Sequence, residues 1–231
     1  MPTDSPPIVP TASLPSGTPP GSSSDPATSR PACLPVVLVP GFRDDMRKVA
    51  YLARRLTAAG FVPHAISPQP TDGSVPLETL AHQLDAAVTT DFAPATRIHL
   101  FGFSMGGLIA RYYVQKLDGA ARVEKLVTLA TPNHGSWMAW LYPRLPACRQ
   151  MRPGSAFLAA LNRDLSPLAQ ANYTSIWARQ DLTIVPASSA RLPIGTMIPL
   201  HHPIHGWLLR DPRVVGAVVD QFVQAEQERE N

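Results

Sequence analysis

Cysteine is nearly absent, with two in 231 residues, Cys33 and Cys148. Neither sits in a Cys-x-x-Cys pair, and no Cys/His set has zinc-ligand spacing, which excludes a zinc finger and a disulfide-built scaffold. One disulfide between the two is allowed, and two separate thiols fit equally well. Charge is also scarce: charged residues make up 16% of the chain, against about 25% in ordinary globular domains. The net charge of +3 is scattered, without a run of five Lys or Arg, so no nucleic-acid partner is expected. No apolar run reaches the roughly 18 residues that a membrane-spanning helix needs. The N-terminus lacks a basic stretch followed by an apolar one, so the chain as given is expected to be cytoplasmic, a secreted form with its signal removed being the alternative.

Proline is what the chain has in excess. Ten of its 26 prolines fall within the first 35 residues, together with seven serines. Such a stretch buries too little apolar surface to offset its ordering entropy. Residues 1–33 are therefore expected to be a disordered, partly polyproline-like tail, and residues 34–231 a folded domain.

The folded part starts with Val36-Val37-Leu38-Val39, a fully apolar, β-branched run closed by Pro40-Gly41. That is the pattern of a buried parallel strand. Residues 44–59 then place Val49, Leu52, Ala53 and Leu56 at helical spacing, with Gly60 as the stop. Further strands are predicted at 61–66, 97–101, 123–129, 174–178 and 196–200. Helices are predicted at 77–92, 104–117 and 211–227. Strands alternating with helices imply an α/β fold with a mostly parallel sheet of about six strands, flanked by helices. The alternation fails at 131–172, where an insertion would form a small cap above the carboxyl edge of the sheet, the edge at which such folds bind ligands.

Gly102-Phe103-Ser104-Met105-Gly106 lies between the strand at 97–101 and the helix at 104–117. A G-x-S-x-G turn there presents a serine hydroxyl at the end of a strand, and the glycines avoid clashes with neighbouring backbone. Ser104 is thus a candidate nucleophile. The unpaired N–H groups and positive dipole end of the following helix make the Met105 N–H a natural donor to an oxyanion. Phe42, after Pro40-Gly41, is placed to give a second donor.

A serine needs a base, and the base an orienting acid. Behind an elbow of this kind they follow in the order Ser, Asp or Glu, His. Asp181 follows the 174–178 strand at its carboxyl end, whereas Asp118 and Glu124 lie in a polar connection, Asp164 follows a helix end and Asp211 reads as a helix cap. Asp181 is the favoured acid. His201, His202 and His205 all follow the 196–200 strand; His205 is favoured as base and His202 is the alternative. His134 precedes Asp181, breaks the order and reads as a loop residue.

The segments Val37-Leu38-Val39-Pro40-Gly41-Phe42, Gly102-Phe103-Ser104-Met105-Gly106-Gly107-Leu108, Arg111-Tyr112-Tyr113 and Leu129-Ala130-Thr131-Pro132-Asn133-His134-Gly135 together resemble the small bacterial lipases and esterases of the α/β-hydrolase superfamily, class 2 triacylglycerol lipases among them. The resemblance spans about residues 35–225 and extends to Asp181-Leu182-Thr183-Ile184-Val185-Pro186 and to the region of His205. It implies carboxylic-ester hydrolysis through an acyl-enzyme and no cofactor or metal, with Ser104, Asp181 and His205 as triad and Phe42 and Met105 as oxyanion donors. The chain departs from many relatives in carrying Pro40-Gly41 where they have His-Gly. Trp137, Met138, Trp140, Leu141 and Tyr142 in the insertion read either as an acyl-chain rim or as an amphipathic segment packed on the core. The rim reading implies a small-molecule ester or lipid substrate and transient contact with a lipid surface. An acyltransferase using the same triad and a non-catalytic binding protein of the same fold are the alternatives.

Overall fold

The computed structural model describes residues 33–231, so the expected tail lies, Cys33 apart, outside the described residues. Six strands form one sheet: β1 (Val36–Val39), β2 (Pro63–Ala65), β3 (Ile98–Phe103), β4 (Val123–Leu129), β5 (Thr174–Ala178) and β6 (Thr196–Leu200). Their spatial order is β2-β1-β3-β4-β5-β6, and every adjacent pair is parallel. Three long helices connect the strands, α1 (Met46–Ala58), α2 (Leu77–Asp91) and α3 (Met105–Lys116). The insertion holds three short ones, α4 (Pro146–Gln150), α5 (Ala156–Arg163) and α6 (Ser166–Gln170), and α7 (Pro212–Glu230) ends the chain.

Side chains alternate across a strand, so each buried strand feeds two cores. Val37 and Val39 of β1, with Ile98 and Leu100 of β3, pack against α2, α3 and the insertion. Val36, Leu38, Phe101 and Phe103 pack on the other face against α1 and α7. The helices obey the same logic. Helix α1 buries Val49, Leu52 and Leu56, and the Asp45 side chain caps its N-terminus by accepting from the Arg47 N–H. Asp211 caps α7 in the same way, ahead of Pro212 at the first helical position. Strand β6 sits at an edge and its residues are partly exposed.

Strand order fixes where a ligand binds. The chain runs from β1 outward to β2, then crosses back over β1 to β3. Connections leave in opposite directions at the carboxyl ends of β1 and β3, and that divergence opens a crevice. Phe42 follows β1 and Ser104 follows β3, so both stand at its mouth.

The two thiols are free: Cys33 is half-buried and Cys148 buried on α4, so the allowed disulfide is not formed.

Candidate active site

Ser104 occupies the junction between β3 and α3 with φ 53° and ψ −120°. A non-glycine residue rarely adopts this backbone, and the surroundings must impose it. Here the Ser104 N–H is held by the Leu129 carbonyl at 2.8 Å, and the Ser104 carbonyl accepts from the Gly107 N–H at 3.0 Å. The elbow closes only because two positions lack a side chain. A Cβ on Gly102 would lie 2.5 Å from the Gly107 Cα, and one on Gly106 would strike the carbonyl oxygens of Val39 and Pro40.

Asp181 follows β5 in a tight turn. One carboxylate oxygen, Oδ1, accepts from the Thr183 and Ile184 N–H groups at 2.8 and 3.0 Å. The other, Oδ2, lies 2.7 Å from His205 Nδ1. The side chains are 2% and 11% exposed, so this contact is shielded from water. A buried carboxylate facing Nδ1 dictates an Nδ1–H donor, which leaves the Nε2 lone pair free to accept a proton. His205 opens a 3-10 turn over His205–Arg210, and its ring stacks on Phe103 at 4.9 Å between centroids. Phe103 immediately precedes Ser104, so the pair is held beside the elbow. The Ser104 hydroxyl itself makes no hydrogen bond among the described residues.

The rival candidates are engaged elsewhere. Among the histidines, His202 accepts from the Ile204 N–H and stands 3.9 Å from Asp211, and His201 meets Gln180. His134 stays in its loop, its Nδ1 beside Asn162. Of the acids, Asp164 caps Ser166, while Glu124 pairs with Arg97 at 2.7 Å. Asp211 is held down to about 2 by its hydrogen bonds with Arg213.

Phe42 follows β1 and Met105 opens α3, both at the crevice. Neither the Phe42 N–H nor the Met105 N–H donates to another group among the described residues. A cavity of about 90 Å³ opens beside Phe42 and Ser104. Its walls are mostly apolar and come from five segments: Phe42, Ser104, the stretch from Pro132 to Tyr142, Cys148 with Met151, and Thr183 with Ile184. Of the five side chains read as a rim, Met138 and Tyr142 line this cavity and the other three do not. Trp137, Trp140 and Leu141 are 59%, 51% and 65% exposed. The reason is local: Trp137–Leu141 is a 3-10 turn, so Trp137 and Trp140, three residues apart, eclipse one another on the outer side. Cys148, Met151 and Ile184 carried no sequence signal, since nothing ties positions so far apart until the fold assembles them.

Arg111 on α3 is fully buried and has no carboxylate partner among the described residues. Its guanidinium donates to Asn133 Oδ1 and Asn162 Oδ1, both at 2.9 Å, and desolvation holds it down to about 10. Asn133 in turn donates to the Tyr173 hydroxyl and the Ala190 carbonyl. This buried network ties α3 to the loop after β4, whose Pro132 and Ser136 line the cavity. No group of three His, Cys, Asp or Glu among the described residues is placed to hold a metal.

Residues 35–175 match the family model of palmitoyl protein thioesterase. No curated protein matches the chain. The fold is shared with solved structures at low sequence identity. Bacillus licheniformis lipase BlEst2 in its mature form superposes with a TM-score of 0.68 at 18% identity, over 84% of this chain and 93% of that one. Aspergillus fumigatus lipase B gives 0.68 at 19% identity over 86% of this chain and 55% of that longer one. Est1E from Butyrivibrio proteoclasticus gives 0.57 at 14% identity over 86% and 90%. The α/β-hydrolase resemblance and the six-stranded parallel sheet are thereby borne out. The family match ends before Asp181 and His205, so their assignment rests on geometry.

Proposed function

The chain belongs to the palmitoyl protein thioesterase family, and from that premise we propose that it hydrolyses carboxylic esters through an acyl-enzyme on Ser104. The observation that carries this reading is the shielded 2.7 Å contact of Asp181 with His205 beside a serine in a strained elbow.

The chemistry follows from these positions. His205 Nε2 takes the Ser104 hydroxyl proton as Oγ attacks the ester carbon. Asp181 keeps the imidazole in the Nδ1–H tautomer and stabilises the imidazolium that forms. The developing oxyanion accepts from the Phe42 and Met105 N–H groups, each contributing on the order of 3 kcal/mol. His205 then returns the proton to the leaving oxygen, and a water repeats the sequence to free the acid. The family's name adds acyl thioesters to the candidate substrates, since the same acyl-enzyme forms when sulfur leaves instead of oxygen.

The apolar lining of the cavity supports an acyl chain there. Leu182 beside Asp181, Ile204 and Trp207 around His205, and the outward Trp137, Trp140 and Leu141 are all exposed. Large apolar groups flanking a site in this way support transient contact with a lipid surface.

Hydrolysis of 4-nitrophenyl butanoate by the wild type and by Asp181→Asn tests the reading. The amide retains an oxygen for the Thr183 and Ile184 N–H groups, so the fold persists, but the His205 tautomer is wrong. Activity falls about 10³–10⁴-fold. Full activity in the variant would move the acid role to Asp164 or Asp211.

A further inference from the structure

A second, larger cavity of about 580 Å³ lies against α1 and the His205–Arg210 turn. The chain has no run of basic residues, yet the fold gathers Arg43, Arg47, Lys48, Arg54 and Arg210 onto its walls, against the carboxylates of Asp44 and Asp45. Those carboxylates are already engaged. Asp44 faces Lys48 at 3.6 Å, and Asp45 faces Arg47 at 3.8 Å while capping α1. Arg43, Arg54 and Arg210 have no ion pair among the described residues. Three unmatched cations therefore face one concavity in a chain whose whole formal excess is +3. A concavity whose walls carry an excess of one sign of charge concentrates counter-ions of the other sign.

This cavity adjoins the catalytic centre on a defined side. Lys48 Nζ donates to the Gly206 carbonyl, next to His205, at 2.9 Å, and lies 5.6 Å from the centre of the Phe103 ring that stacks on His205. The Arg43 guanidinium rests 5.1 and 5.2 Å from the ring centres of Phe42 and Tyr142, which wall the apolar cavity. One cavity is thus apolar and opens at Ser104, and the other is cationic and opens at the His205 turn, with Arg43 between them. Acylation forms the Ser104 Oγ–acyl carbon bond and breaks the bond from that carbon to the leaving oxygen or sulfur. The hydroxyl proton travels through His205 Nε2 to the leaving atom, so that atom departs on the His205 side.

We propose that the cationic cavity binds the alcohol or thiol half of the substrate, and that this half bears an anionic group, a carboxylate or a phosphate. The proposal rests on the hydrolase reading above.

The test compares 4-nitrophenyl butanoate with 3-carboxy-4-nitrophenyl butanoate, each rate normalised to the ester's alkaline hydrolysis. The wild type is expected to favour the carboxylated leaving group about tenfold or more in kcat/KM, mainly through KM. The preference is expected to shrink as salt shortens the reach of the cations, from about 30 Å at 0.01 M to about 3 Å at 1 M. It is also expected to fall severalfold in Arg54→Glu and in Arg210→Glu, with circular dichroism checking that each variant is folded. Turnover of the neutral ester without preference for the anionic one, or a preference that neither salt nor either variant alters, overturns this proposal alone. No turnover of either ester overturns the hydrolase reading together with it.

Discussion

Lowering the pH to 5 is expected to destabilise this fold through His99, a residue remote from the chemistry. His99 lies on β3 and is fully buried between Phe61 and Phe222. Its Nε2 is 2.8 Å from Glu226 Oε1 on α7, and its Nδ1 has no partner among the described residues. The carboxylate dictates an Nε2–H donor, which leaves a bare lone pair at Nδ1. Protonation would place an unpartnered N–H in an apolar site. Desolvation accordingly outweighs the attraction of Glu226 and lowers His99 from the ordinary 6.5 to about 4. The sign follows directly. The folded state resists the proton and the unfolded chain takes it, so stability is complete above 6.5 and declines as pH falls toward 4. The shift corresponds to about 3 kcal/mol in full, of which about 2 kcal/mol is lost by pH 5. Glu226 acts in the same direction. Burial would raise its carboxyl, but Arg229, the Leu34 N–H and His99 together hold it below its ordinary value. Urea unfolding of the wild type and of His99→Leu at pH 7.5 and pH 5 measures the effect. The wild type is expected to lose about 2 kcal/mol more than the variant. Equal losses would show that His99 accepts its proton in the folded state and refute the reasoning.

Gly106→Ala is expected to lower stability by at least about 2 kcal/mol, since its methyl meets backbone carbonyls that no rotamer change can clear. A thermal melt unchanged from wild type would mean that the elbow relaxes freely. Cys148 is buried at the wall of the apolar cavity, and burial pushes its thiol up, whereas Cys33 is half-buried. Iodoacetamide at pH 7.5 is therefore expected to modify Cys33 first and Cys148 only after unfolding, as peptide mass analysis would read; equal rates would contradict the packing of α4.

Much of the frame was legible because its signals are local. The apolar β-branched run of β1 and the full lengths of β4, β5 and β6 stood at the expected positions. The elbow was legible because its G-x-S-x-G spacing is a local pattern between a strand and a helix, although the contact that requires Gly106 is with the carbonyls of Val39 and Pro40 on a neighbouring segment. Asp181 and His205, 24 residues apart, were placed by chain order and strand ends, and the fold brings them to 2.7 Å. What the sequence concealed is non-local. Trp137 and Trp140 read as a rim by composition, but the eclipsing of a short 3-10 turn points them to solvent. His99 and Arg111 read as members of a strand and a helix, and their weight comes from Glu226 and from Asn133 and Asn162. The cationic cavity was invisible for the same reason: Arg43 precedes α1, Arg47, Lys48 and Arg54 are spaced along it, and Arg210 completes the set from the far end of the chain.

The central claim is that Ser104 is a nucleophile activated by His205 and Asp181. A fluorophosphonate probe reacts with such a serine and not with an ordinary hydroxyl. Incubated with the folded chain, it is expected to attach once per molecule, at Ser104, and to leave Ser104→Ala unlabelled. A wild type that takes up no probe, or a Ser104→Ala variant labelled as fully, would contradict the account.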